Sequence, residues 1–216
     1  MIVPTLGGCM SGVSFDDTAV AFAGKDDQEL QHSAWLFRIM SNAAIVDIGA
    51  YITQMALQIG LPVQSILKTT IYEHFCGGES LDETRPMISA LAQQGVSTIL
   101  DYGVEAKESQ DEFDGNLAEQ LRAISFADGN ASVPYVSCKV TGYAPFGLLE
   151  KMSSGVELDA ADQATRDRMM GRLEQICEAA ARLDVALYVD AEESWIQDAI
   201  DAIVDDLMVR FNQAKP

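Results

Sequence analysis

Lys139, Asp190 and Glu105 each stand near the end of a short apolar segment that reads as a β-strand, over residues 134–141, 186–193 and 98–105 respectively. Side chains alternate across a strand, so Asp101 and Glu105 share a face with Ile99, Lys139 shares one with Ser137 and Thr141, and Asp190 shares one with Tyr188 and Glu192. A helix-like stretch follows each segment, and repeated strand-helix units imply a parallel sheet. Charges gathered at the carboxyl ends of parallel strands mark a site. A lysine among carboxylates there supports two chemistries. It can anchor an anionic group while the carboxylates orient it and balance its charge. It can also act as a Schiff-base nucleophile with Asp190 and Glu105 as acid and base, in an aldolase-type lyase.

The elements that must hold these residues fall into two parts, 1–95 and 96–216. The first reads as helical. Asp26 or Asp27 caps a helix carrying Leu30, Trp35, Leu36 and Ile39, and Asn42 caps a second that runs toward Gly60. Pro62 fits the first turn of a third helix through Ile66, Ile71 and Phe75, ended by Gly77 and Gly78. A fourth, over 80–94, contains Pro86 in its first turn or at a kink. The second part alternates strands with helices over 108–127, 159–183 and 193–211. Residues 142–155 read as a long loop with one helical turn, the kind of loop that contributes ligand contacts.

This pattern predicts an α/β fold: amino-terminal helices followed by the first three βα units of a (β/α)8, TIM-like barrel. A closed barrel of that type needs eight strands and about 250 residues, so 216 residues with three strands read as a truncated barrel. The last strand then presents an open edge, and self-association through it is expected.

Composition removes other classes. The 33 acidic against 14 basic residues leave a net charge of −19, which repels nucleic acid and anionic lipid. Cys9, Cys76, Cys138 and Cys177 are widely spaced and only His32 and His74 accompany them, which suggests neither a zinc site nor a disulfide framework. Cys138 and Cys177 fall on apolar faces, in keeping with a reducing interior and a cytoplasmic location. Tyr143, Tyr188 and Trp195 read as packing groups.

Five motifs, in order, resemble the amino-terminal half of the proline dehydrogenase family: Phe75-Cys-Gly-Gly-Glu79, Ile99-Leu-Asp-Tyr-Gly-Val-Glu105, Cys138-Lys-Val-Thr-Gly142, Phe146-Gly-Leu-Leu-Glu150 and Val189-Asp-Ala-Glu-Glu-Ser-Trp-Ile-Gln197. The resemblance implies a distorted (β/α)8 barrel that binds FAD and oxidises L-proline to Δ1-pyrroline-5-carboxylate, with electrons passed to a quinone and transient, peripheral membrane contact. It implies that Lys139 helps hold the substrate carboxylate and that Asp190 lies beneath flavin and proline, orienting the site. It also implies that Glu105 pairs with a substrate-binding arginine and gates access. Asp101 and Glu192 share the inward face without a family role. Further carboxylate-binding arginines and most FAD contacts belong, in the family, to later strands and helices, so this chain alone is expected to be an inactive partial barrel.

Overall fold

Asp26 accepts hydrogen bonds from the Gln28 and Glu29 amides at 2.8 and 2.9 Å, and its own N–H donates to Glu29 Oε2 at 2.8 Å. This reciprocal capping pair opens helix α1 (Asp27–Met40). Asn42 caps α2 (Ala43–Gln58) in the same way through the Ala44 and Ile45 amides, and the chain leaves α2 through Gly60 at φ +75°. The structure, a computed structural model, describes residues 16–63, 67–102 and 108–213.

The chain divides into two compact units, 1–78 and 79–216. In the first, Leu36 of α1 and Ala56 of α2 are buried, whereas Ile45, Ile48, Tyr51 and Ile52 of α2 are exposed. The helix expected from Pro62 differs. Pro62 and Val63 are not helical, and the chain instead makes a π-helical turn at Lys68–Tyr72 that continues into Glu73–Phe75. Tyr72 closes this segment by donating its hydroxyl to the Gly78 carbonyl at 2.7 Å.

The second unit begins with α3 (Leu81–Gln93), capped by Ser80. Pro86 lies at its sixth position, past the first turn, where it removes one donor from the ladder. Gly95 at φ +76° turns the chain toward β1 (Ile99–Leu100), followed by α4 (Gln110–Ala127), β2 (Tyr135–Cys138), α5 (Phe146–Ser153), α6 (Ala160–Leu183), β3 (Ala186–Val189) and α7 (Gln197–Phe211). Residues 142–155 are therefore less of a loop than their sequence suggests. After a 3-10 turn at Val140–Gly142, Pro145 precedes a helix of 8 residues that buries Leu148 and Leu149.

The strands form a parallel sheet in the order β1-β2-β3, with Ile99 opposite Tyr135 and Tyr135 opposite Ala186. Val136 and Cys138 turn one face toward the helices, where Ile124, Leu149, Ile176 and Ile200 are almost wholly buried. Burial of each such side chain contributes about 1.5–3 kcal/mol. The opposite face is more open: Ile99, Tyr135 and Tyr188 are 50, 44 and 55% exposed, although Ser137 between them is buried. Parallel sheets ordinarily bury both faces, and here the inner face is covered less than the helix-facing one. Tyr188 and Trp195 are more exposed than groups expected to pack would be. Trp195 is largely exposed, with one edge contact to Phe146 at 6.4 Å, whereas Tyr143 is buried.

A candidate active site at the strand ends

Each strand delivers one ionisable side chain to the same end of the sheet. Asp101 follows β1, Lys139 follows β2 and Asp190 follows β3. The β2–β3 pairing runs from Tyr135–Ala186 to Cys138–Val189, so the next row sets Lys139 beside Asp190, while the Leu100–Val136 pairing places Asp101 one step diagonally away. Lys139 Nζ lies 2.8 Å from Asp101 Oδ2 and 3.4 Å from Asp190 Oδ2. The hydrogen bond from Lys139 to Asp101, reinforced by both carboxylates' charge, raises the ammonium pKa and keeps it protonated. Its side chain is only 22% exposed, so the charge is partly withdrawn from water and held by these partners.

The backbone around Lys139 is fixed from several sides. Alternate carbonyls of β2 point to opposite neighbours, so Cys138 O faces β3 and accepts from the Asp190 N–H at 3.0 Å. Ser137 O faces β1, whose ladder has already ended, and Gln120 Nε2 of α4 donates to it at 2.8 Å in place of a strand partner. One turn earlier on α4, Asn116 Nδ2 donates to Gly142 O at 2.8 Å. Arg172 of α6, 5% exposed, donates to Tyr143 O at 3.2 Å while its other nitrogens reach Asp114 Oδ1 at 2.7 Å and Gln110 Oε1 at 2.8 Å. Both carbonyls that close the turn after Lys139 are thus tied to helices.

A second tie joins the ends of β2 and β3. Glu192 accepts from the Thr141 N–H at 3.2 Å and from the Thr141 hydroxyl, and the Glu192 N–H donates to Gln197 Oε1 at 2.8 Å. Glu192 therefore braces the loop that carries Asp190. On the helix side of the sheet, burial pushes the Cys138 thiol up to about 12, and the Tyr143 hydroxyl is likewise shifted upward by burial. Both remain protonated and act as packing groups.

Of the site residues expected from sequence, Lys139 and Asp190 come together. Asp101, which the inward face had marked only for a polar network, is the closer partner of Lys139, and Glu192 is the partner of Thr141. Glu105 lies outside the described residues. Arg172, Asn116 and Gln120 escaped the sequence reading, although each is a polar side chain set within an apolar helical stripe.

The family model described as proline dehydrogenase matches residues 84–215, well over half of the chain. The carbapenem antibiotics biosynthesis protein CarD of Pectobacterium carotovorum is 30% identical over 150 residues, which cover 69% of this chain and 40% of that protein. Mitochondrial proline dehydrogenase 1 of Arabidopsis thaliana is 23% identical over an alignment covering 94% of this chain and 49% of the relative. The chain thus spans 40 to 49% of the length of these two relatives. Among solved structures, proline utilization A from Bdellovibrio bacteriovorus, inactivated by N-propargylglycine, superposes with a TM-score of 0.52 at 15% identity, covering 88% of this chain and 21% of that one, a likeness of fold. The parallel strands with Lys139 and Asp190 at their ends and the match over residues 84–215 lead to one conclusion: the chain belongs to the proline dehydrogenase family.

Proposed function

We propose that this protein serves FAD-dependent oxidation of L-proline to Δ1-pyrroline-5-carboxylate, with a quinone as electron acceptor, and that Lys139 anchors the proline carboxylate at the strand ends. The observation that carries this reading is the Lys139 ammonium, kept protonated and held between Asp101 and Asp190 where three parallel strands finish. A charge-assisted hydrogen bond from that ammonium would fix one end of the substrate, and orientation is most of what the protein must supply to such a reaction. Asp190, locked by its own amide to Cys138 O, sets the direction of the lysine. Glu192 and Thr141 keep the two loops in register, and Glu105 remains a candidate gate residue.

A bound flavin would supply the acceptor for a hydride equivalent from the carbon beside the proline nitrogen, and Lys139 and Asp190 would hold the substrate against it. The strand-end residues suit the substrate side of the flavin ring: one ammonium opposed by the carboxylates of Asp101 and Asp190 matches a zwitterion. The same charges oppose a diphosphate, so Lys139 and Asp190 would face the ring, and the diphosphate needs other residues.

An aldolase-type role for Lys139 requires a neutral amine, and the Asp101 hydrogen bond favours the charged form, so that reading is the weaker one. Among the described residues no helix is long and apolar enough to cross a membrane, and contact with a quinone would be peripheral. The more open inner sheet face favours self-association as a second property of this chain; a monodisperse monomer in size exclusion contradicts it. The enzymatic reading is tested by titrating this chain, and beside it a version carrying the later strands and helices that hold most FAD contacts in the family, with FAD, following flavin absorbance and then proline-dependent reduction of a dye in each. Flavin binding with proline oxidation that Lys139→Met abolishes supports it. Flavin-dependent proline oxidation that Lys139→Met leaves intact overturns the assignment of Lys139.

A further inference from the structure

Two carboxylates share the Lys139 ammonium, and they are anchored unequally. Asp190 sits in the row beside Lys139, its N–H bonds Cys138 O at 3.0 Å, and its side chain is 24% exposed. Asp101 follows a strand whose pairing with β2 ends at Leu100, reaches Lys139 diagonally and is 45% exposed. Yet Asp101 makes the closer contact, 2.8 Å against 3.4 Å. The less anchored carboxylate therefore holds the better position on the cation.

Resting on the reading of Lys139 as a carboxylate anchor, we infer that Asp101 is a displaceable stand-in for the ligand carboxylate, an internal competitor that sets how tightly an external carboxylate is held. With both aspartates in place, the ammonium is already matched by more negative charge than its own. An incoming carboxylate meets like charge on both sides of the ammonium and competes with Asp101, the nearer carboxylate, for its charge. Asp101 can leave at small cost, because its side chain is already nearly half in water and the ladder has ended before it. Asp190 is held more firmly, because its N–H bonds Cys138 O at the end of β2 and its side chain is about half as exposed as that of Asp101. Simple anions therefore bind weakly. A zwitterion does better, because the released Asp101 carboxylate can accept its ammonium group.

The test uses the full chain carrying isotope-labelled lysine, with the Lys139 ε-methylene NMR signal assigned by its loss in Lys139→Met. Sodium acetate and glycine are titrated at constant ionic strength near neutral pH into the parent chain, Asp101→Asn and Asp101→Ser. Acetate should bind at Lys139 about fivefold more tightly or better once Asp101 is removed, equivalent to about 1 kcal/mol, the upper range for a partly exposed ion pair. The preference for glycine over acetate should shrink in both variants. Unchanged or weaker acetate binding in both variants overturns the inference while leaving Lys139 an anchor. If acetate and glycine leave the Lys139 signal unmoved in every form, the anchor reading itself fails and the competitor role falls with it.

Discussion

Replacing Arg172 with methionine removes the guanidinium that ties α4, α6 and the turn after Lys139 while keeping a stem long enough to cover Phe113, whose ring lies 5.5 Å from the charge. Asp114 is 65% exposed and regains water when its partner goes, so that ion pair contributes little. The Tyr143 carbonyl is different. Tyr143 is 4% exposed, and its oxygen loses the Arg172 donor in a place water reaches poorly. An unsatisfied buried acceptor costs about 1–3 kcal/mol, and relief of the guanidinium's own desolvation offsets part of the remaining loss. The expected net destabilisation is about 2 kcal/mol. With a urea m-value of about 2 kcal/mol/M for a unit of this size, the midpoint should fall by about 1 M. Arg172→Lys retains charge but cannot form three separate contacts at once, and should fall between the two. Equilibrium urea unfolding followed by circular dichroism measures this, and faster amide hydrogen exchange at Gly142 and Tyr143 should accompany it. A midpoint shift below about 0.3 M for Arg172→Met, with unchanged exchange at those amides, would refute the reasoning that this arginine holds the turn.

Thr141→Val keeps the shape and the backbone N–H bond to Glu192 but removes the hydroxyl donor, and should destabilise the chain by about 1–2 kcal/mol in the same unfolding assay. Cys138→Ala should flatten the alkaline limb of the stability profile. The buried thiol has its pKa raised to about 12, against about 8.5 unfolded, so above pH ~8.5 the unfolded chain gives up a proton that the folded chain keeps. Stability then falls by about 1.4 kcal/mol per pH unit for this group until the folded value is reached, and unfolding titrations between pH 8.5 and about 10 should show the variant losing that share of the slope. Cys177, pushed up to about 11 by burial, contributes a parallel share that the variant retains. Asp159→Ala, which removes the acceptor for the Ala161 and Asp162 amides at the start of α6, should cost about 1 kcal/mol by urea unfolding.

The three strand-helix units were legible because each strand segment ends in a charge and each following helix carries an apolar stripe. Alternation across β2 and β3 also placed Lys139 and Asp190 on one face. The extent of pairing in β1 was not legible: 98–105 read as a strand, and of its described residues, 98–102, Ile99 and Leu100 are in the ladder, since strand propensity says nothing about where a neighbour stops. The same shortfall hid Gln120, whose role exists only because Ser137 O outlasts its β1 partner. A signal for it was present. Asn116 and Gln120 lie four residues apart among Phe113, Ala123, Ile124 and Ala127 on the buried side of α4, and Arg172 lies between Met169 and Ile176 on α6. Polar side chains in such stripes need buried partners, but the partners here are backbone carbonyls, which no side-chain pattern reveals. Asp101 was visible as an inward carboxylate, and its precedence over Asp190 depended on a distance.

The most direct measurement is the affinity of L-proline for the protein and for its Lys139→Met variant, read by calorimetry with FAD present. Loss of one partly buried, charge-assisted hydrogen bond should weaken proline binding at least tenfold, at about 1.5–3 kcal/mol. Equal affinity in the two proteins would contradict the claim that Lys139 anchors the substrate carboxylate.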